Sequence, residues 1–405
     1  MSTLPTPRPF TVALVYGTRP EAIKMAPLVR AFTNDPRFRP MVVVTGQHRE
    51  MLDQVHRVFD ITPDVDLDIH APGHTLTEIT TRSLNGIGAV LQANHPDAVL
   101  VQGDTTTTFS GALAAFYEQI PVIHTEAGLR TGDASSPFPE EINRRLATQL
   151  AELHLAPTWE SRANLLRDNV AEERVHVTGN TVIDALLWTV EHPFPYGSPM
   201  LEARLGGDHP VILVTAHRRE SLGAPMARIG RALARIAAAH PDHLIVFPMH
   251  RNPKVREAIM PQIEGLSNII TIEPLSYGGF CRLIARSSII LTDSGGVQEE
   301  GPALGKPVLV TRDNTERPEA VHSGTVRLIG TDEDVIVDAV DELITSPAAY
   351  ARMSRAVNPY GDGHATARSL AAIDHHFLGA PRPADFVPGS TLAIAPERVF
   401  AMMSV

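Results

Sequence analysis

Short apolar runs rich in β-branched residues alternate with helical stretches along nearly the whole chain, and this alternation restricts the fold more than any other feature. Val12 to Tyr16, Met41 to Thr45, Ala98 to Gln102, Val122 to His124, His154 to Ala156 and Val175 to Thr178 have strand character. Helical periodicity fills the gaps, notably over Thr77 to Leu91 and Glu140 to Leu150. Strands joined through helices run parallel and are covered on both faces, so the expected class is α/β. From Glu191 to Pro210 the pattern breaks at Pro193, Pro195, Gly197, Pro199 and Gly206-Gly207, which marks a linker. A second series then begins, with strands at Val211 to Thr215, Leu244 to Pro248, Ile269 to Ile272, Ile289 to Thr292 and Val308 to Val310.

Length and charge narrow the function. With 405 residues, 43% of them hydrophobic, the chain can build two domains with a full core each. Asp and Glu outnumber Lys and Arg by 46 to 35, a net charge of -11, which offers no basic field to nucleic acid or an anionic membrane. The single cysteine, Cys281, excludes an intrachain disulfide, sits in a helical stretch and is expected in the core. No run approaches the ~20 apolar residues of a membrane span, and the first ten residues lack a signal-peptide pattern, so a soluble cytoplasmic protein is expected. Among 18 histidines no metal-ligand spacing occurs, and no metal or cofactor is assigned.

Two turns stand out: Gly17-Thr18-Arg19-Pro20-Glu21 after the first strand and Asp293-Ser294-Gly295-Gly296 after Ile289 to Thr292. Each opens a helix and can offer backbone N–H groups to an anion, which predicts one phosphorylated ligand held between two lobes. Arg19 is either a fixed charge for a phosphate or a solvated side chain beside a helix-N1 proline, and Lys24 follows just over one turn later. Asp104, ahead of Thr105 to Thr108, is either a helix N-cap or a site carboxylate. Glu126 follows the next strand beside Gly128, and Glu140 and Glu141 open a helix, where the dipole alone favours acids. Asp104, Glu126 and Glu140 together would give carboxylates for acid and base work. His217-Arg218-Arg219-Glu220 and His250-Arg251 follow strands of the second series and suit a diphosphate, unless their charges merely pair locally. Ser294, Gly295 and Gly296 allow close approach of a phosphate or simply supply turn dihedrals, and Glu300 suits ribose hydroxyls.

These segments resemble the bacterial non-hydrolysing UDP-N-acetylglucosamine 2-epimerases. The resemblance rests on GTRPEAIKMAPL from Gly17, QHREMLDQ from Gln47, GDTTTT from Gly103, EAGLRTGD from Glu126, GNTVIDAL from Gly179, HRRES from His217, LTDSGGVQEE from Leu291, TERPEAV from Thr315 and NPYGDG from Asn358. It implies two Rossmann-like domains facing across a cleft (GT-B type), residues 1–190 and 208–360. A last helix at 363–378 returns to the first domain, and a mobile tail follows from 379 to 405, with Phe386 and Phe400 as candidate anchors. It further implies reversible epimerisation of a UDP-sugar at carbon 2, by elimination and re-addition of UDP, for cell-surface polysaccharide synthesis in a homodimer. Asp104, Glu126, Glu140 and His217 would be catalytic. Arg19, Lys24, Phe280, Ser294, Gly295, Gly296, Glu300 and Arg317 would bind substrate. Gln47, His48, Glu50, Arg218 and His250 would hold an allosteric second ligand. Ser276 departs from the aspartate that relatives often carry. A glycosyltransferase of the same fold would need an acceptor pocket in place of the carboxylate trio, a hydrolysing epimerase would release N-acetylmannosamine, and a nucleotide-sugar sensor would bind without turnover.

Overall fold

The computed structural model describes residues 8–46, 49–69, 73–218 and 221–390, with the Glu50 side chain also excepted. The chain divides into two compact units, one of described residues up to Ala185 and from Tyr360 onward, the other Leu186–Pro359. In the first unit β1 (Phe10–Tyr16), β2 (Phe38–Val44), β3 (Val65–Asp66), β4 (Ala98–Gln102), β5 (Val122–Thr125), β6 (Leu153–Ala156) and β7 (Val175–Val177) form one parallel sheet ordered β3-β2-β1-β4-β5-β6-β7. In the second, β8 (Val211–Thr215), β9 (Leu244–Pro248), β10 (Ile269–Ile272), β11 (Ile289–Thr292), β12 (Val308–Val310) and β13 (Val326–Leu328) form a parallel sheet ordered β10-β9-β8-β11-β12-β13. β4 and β11 are buried along their whole length, as strands covered on both faces must be. No helix among the described residues is long and apolar enough to cross a membrane.

Both sheets reverse their winding once, between β1 and β4 and between β8 and β11. At such a switch point the two flanking loops part and leave a crevice beyond the strand ends. The loops there carry Gly17, Asp104, His217 and Asp293, so the topology alone selects the segments singled out by sequence.

Three expectations change. β3 and β13 went unforeseen because two or three residues are too few for any periodicity to register. The proline-rich stretch before Pro210 contains a helix, Pro199–Leu205, with Leu201 and Leu205 buried and Ser198 accepting from the Leu201 N–H at 3.3 Å. Pro199 starts that helix instead of breaking one. Over its described residues, 379–390, the tail expected to be mobile is ordered: after helix Ala365–Leu378, Gly379 takes φ 78° and the chain turns back so that Phe386 is only 2% exposed. Phe400 lies outside the described residues. The last helix belongs to the first unit, where Asp184 accepts from the N–H groups of Ala365 and Thr366 at 3.2 and 2.8 Å. Cys281 is fully buried, as expected.

The first unit also buries three histidines in adjacent strands: His124, His154 and His176. Burial lowers their pKa values to about 4, about 3 and about 4. The unfolded chain therefore takes up protons near pH 6.5 that the folded one refuses, so these groups stabilise fully above that pH and lose their contribution on acidification. Asp184, raised to about 6 by burial, works in the opposite sense over roughly pH 4 to 6, since its folded form binds the proton more tightly. The contribution of one histidine is separable by substitution. His154→Gln should reduce the slope of stability against pH between 4.5 and 6 by about 1.4 kcal/mol per pH unit. Urea melts at three pH values test this, and parallel slopes for both proteins would refute it.

Candidate active site

Gly17 ends β1 where the chain squeezes past two threonines: a Cβ there would lie 2.0 Å from Thr45 Oγ1 and 2.6 Å from Thr107 Oγ1. Only glycine passes. The N–H groups of Gly17 and Thr18 were expected to face an anion, but Glu21 already occupies them, accepting at 3.1 and 2.8 Å. Thr105 and Thr108 hydroxyls also donate to Glu21, at 2.7 and 3.3 Å, and tie the β1 turn to the β4 turn. Glu21 is buried and its pKa is raised by that burial, with the threonine and backbone donors acting against the shift. The first turn is thus a closed carboxylate knot. What remains for a ligand is the half-buried Arg19, which makes no ion pair with any described residue.

Asp104 is not a helix cap. Thr105 fills that role, its hydroxyl accepting from the Thr108 N–H at 3.1 Å, which leaves Asp104 to face Arg144 in an ion pair. Asn143 donates to the Asp104 carbonyl at 3.0 Å. Burial raises the Asp104 pKa and the Glu126 charge adds to the rise, while Arg144 and Lys24 oppose it. Glu126 sits at φ 56°, a left-handed conformation unusual for a side-chain-bearing residue and one that marks functional turns. Its carboxylate pairs with Lys24 and accepts from Gln102 Nε2 at 2.5 Å and Asn180 Nδ2 at 3.0 Å. Helix Glu140–Leu150 brings Asn143 and Arg144 against Asp104, and Glu140 lies three and four residues earlier, on the same helix face. Glu140 is half-buried and pairs with no described residue, whereas its neighbour Glu141 is fully buried and accepts from Thr131 N–H at 3.1 Å and Arg144 at 3.3 Å.

In the second unit Asp293 organises the β8 and β11 loops. Its Oδ2 accepts from the N–H groups of His217 and Arg218 at 2.7 and 2.8 Å, and its Oδ1 lies 3.0 Å from His217 Nδ1. Burial pushes its pKa up, yet His217 and the two backbone donors together hold it below the ordinary value. His217 stacks on His250 with ring centroids 5.7 Å apart, and burial lowers the His250 pKa with help from His217. Gly295 and Gly296 were expected to serve turn dihedrals if nothing else, but neither has a positive φ. A Cβ on Gly295 would instead meet Arg317 Nη1 at 2.6 Å and Arg218 Nη2 at 3.4 Å. The glycine makes room for two guanidinium groups at the start of helix Val297–Ala303. Arg317 is steadied by Glu299 at 2.5 Å. Ser294 donates its N–H to Thr292 Oγ1 at 2.9 Å, Glu300 is buried on the following helix, and Phe280 is half-buried in helix Tyr277–Arg286. Ser276 caps that helix, its hydroxyl accepting from Gly279 N–H at 3.3 Å, and so replaces the capping function of an aspartate.

Of the proposed second-ligand residues, Arg218 and His250 lie beside His217, Gln47 and His48 fall outside the described residues, and Glu50 is described only as backbone in helix Arg49–Phe59. Sequence reasoning missed Gln102, Asn180, Arg144, Glu21 and Asp293. Asn180 and Asp293 lie inside segments already noted, but an amide or a buried acid reveals its partner only in three dimensions. Among the described residues one trio, His240, Asp242 and His243, brings potential metal ligands within 4.8 Å of one another. It precedes β9, at the opposite end of the sheet from Asp293 and His217.

Comparison with known proteins identifies the family. The sequence model described as UDP-N-acetylglucosamine 2-epimerase matches residues 30–374. The UDP-N-acetylglucosamine 2-epimerase of Yersinia pestis is 56% identical over 372 residues, 90% of this chain and 98% of that protein. That of Escherichia coli K12 is 55% identical over the same shares of both. The crystal structure of the Neisseria meningitidis UDP-GlcNAc 2-epimerase bound to UDP-GlcNAc superposes with a TM-score of 0.81 at 46% identity, covering 90% of this chain and 99% of that one. A match of this extent, over nine tenths of the chain and nearly the whole of each relative, leaves one assignment: the chain belongs to the UDP-N-acetylglucosamine 2-epimerase family.

Proposed function

We propose that this enzyme interconverts UDP-N-acetylglucosamine and UDP-N-acetylmannosamine without net hydrolysis. The observation that carries the reading is the meeting of Asp104 and Glu126 with Lys24 and Arg144 at the switch point of the first sheet.

The C2–H bond of the substrate is not adjacent to a carbonyl, so simple deprotonation would leave an unstabilised carbanion. Elimination avoids it. The C1–O bond to UDP breaks as a proton leaves C2, the electron pair of the C–H bond becomes the C1–C2 double bond of 2-acetamidoglucal, and UDP departs as an anion. In the return step a proton adds to the opposite face of C2 and UDP re-forms the bond to C1. In the second unit Arg218 and Arg317, with His217 beside them, supply positive charge for the departing diphosphate, the kind of electrostatic aid that contributes most when it is fixed in advance. Glu126, its oxygens met by an ammonium and two amide donors, suits the proton-accepting role. Asp104, whose pKa is raised, suits the proton-donating one. Glu140 is the further carboxylate on the face that Asn143 and Arg144 share.

Incubation with UDP-N-acetylglucosamine in deuterium oxide, followed by NMR of the sugar, tests this reading. Deuterium should enter C2 of both epimers as they equilibrate. Epimer formed with protium at C2 would eliminate proton exchange with solvent, and free N-acetylmannosamine would establish hydrolysis.

A further inference from the structure

β7 is the outer strand of the first sheet, and its free edge is covered by the segment that follows the last helix. Val177 donates its N–H to Asp385 Oδ1 at 2.7 Å and accepts from the Phe386 N–H at 2.7 Å, so both outward groups of that residue are used. Arg382 donates to the Val175 carbonyl at 2.8 Å, and Trp159 Nε1 donates to the Phe386 carbonyl at 2.8 Å. This segment lies beyond residue 374, where the family match ends.

The covered edge leads directly into the site. Arg368, 3% exposed, lies against the Phe386 ring with its guanidinium carbon 4.9 Å from the centroid. The same guanidinium donates to the Thr178 carbonyl at 3.1 Å and is held by Asp362 at 2.8 and 2.6 Å. Two residues on, Asn180 donates its N–H to the Tyr360 carbonyl at 2.7 Å and its side-chain amide to Glu126 at 3.0 Å. Thr181 donates to the carbonyl of Lys24, whose ammonium pairs with Glu126. Hydrogen bonds and one cation–π contact, joined by the backbone of residues 177–181, therefore connect Asp385 and Phe386 to the Lys24–Glu126 pair.

We propose that residues Arg382–Phe386 are a strap that fixes the 178–181 turn, and that Asp385 and Phe386 are positioning residues for proton transfer at C2. The proposal rests on the epimerase reading above. An edge strand needs only some cover to avoid pairing with another chain. This cover is side-chain specific, and it is placed where a displacement of Asn180 by a fraction of an ångström tilts the Glu126 carboxylate. Small misplacements of a reacting group are costly because the productive geometry is narrow.

Two variants of the full chain test it. Asp385→Ala removes one acceptor and little volume, and Phe386→Leu keeps apolar bulk but removes the ring from Arg368. Each should lower kcat about 10-fold with KM within twofold. Each should also accelerate amide hydrogen exchange over residues 178–181, and UDP binding should remain unchanged. Phe386→Tyr should restore wild-type kcat. Should Phe386→Leu fail to fold, Asp385→Ala decides alone. A lowered melting temperature with wild-type kcat and unaltered exchange at 178–181 would reduce the strap to an edge cover and overturn the proposal. If the wild-type enzyme itself shows no epimerisation, the functional reading fails, and the exchange measurement still decides whether the strap controls the turn.

Discussion

Glu140→Gln should lower turnover at least ~10²-fold while leaving the melting temperature unchanged, and Asp104→Asn and Glu126→Gln should lower both. The difference follows from the partners of each group. Glu140 is half-buried and pairs with no described residue, so replacing its charge by an amide leaves nothing uncompensated. If it served only the helix dipole, the change would cost about 0.3–1 kcal/mol and turnover would survive. Asp104 holds Arg144, which is 9% exposed, and Glu126 holds Lys24, 15% exposed, with two further donors. Removing one member of such a buried pair costs roughly 3–5 kcal/mol because the other charge stays behind. An amide relieves part of that, since its oxygen still accepts, but in Glu126→Gln the new NH₂ group must face a donor whichever way it turns. Turnover measured beside thermal melts on all three variants separates chemistry from stability. Wild-type turnover in Glu140→Gln would remove Glu140 from the proton-handling set.

The sequence is most legible where a physical signal is local. Strands such as β4, β8, β9, β10, β11 and β12 begin and end where the apolar runs do, because a parallel strand buried on both faces must be continuously apolar. The switch-point loops were visible for the same reason, as each is the polar break after such a run. What stayed hidden was which polar groups satisfy one another. Glu21 carries no local signal of its partners, and nothing in GTRPE says that its carboxylate folds back onto Gly17 and Thr18 and reaches Thr105, 84 residues away. The N–H groups that sequence offers to a phosphate are therefore spent in the first turn, while in the second Arg218 and Arg317 bring their guanidinium groups over Gly295. Asn180 and Gln102 were invisible as site residues because an amide has no chemistry to betray it. Their function is to hold Glu126, and only the fold shows that. The ordered strap was hidden by its own composition, since a run of proline and small residues looks the same whether it hangs free or lies along a sheet edge.

Asp293→Ala should be the most damaging single change in the second unit, losing at least ~10²-fold in turnover together with a few kcal/mol of stability. Asp293 is fully buried and one oxygen accepts from two backbone N–H groups, at 2.7 and 2.8 Å. Alanine leaves both donors without a partner, at roughly 1–3 kcal/mol each. It also frees His217, whose Nδ1 lies 3.0 Å from the other oxygen. That contact orients the imidazole, which stacks on His250. Asp293→Asn separates the two functions. If its amide oxygen keeps the backbone donors, its NH₂ group faces Nδ1, the ring loses the acceptor that orients it, and turnover falls while stability changes little. If the amide turns the other way, His217 keeps its acceptor and the loop loses its donors' partner. The pH dependence carries the opposite sign to that of Asp184. Because the folded pKa of Asp293 lies below the unfolded value near 3.9, its contribution is complete above that pH and is lost only as pH falls through the folded pKa. Above pH 5 the stability difference between wild type and Asp293→Ala should therefore stay constant, and it should narrow toward pH 3. Chemical denaturation across that range, beside calorimetric titration of UDP at neutral pH, measures both effects. A constant difference down to pH 3 would show that folding leaves the Asp293 pKa unshifted and would sink this account of its partners.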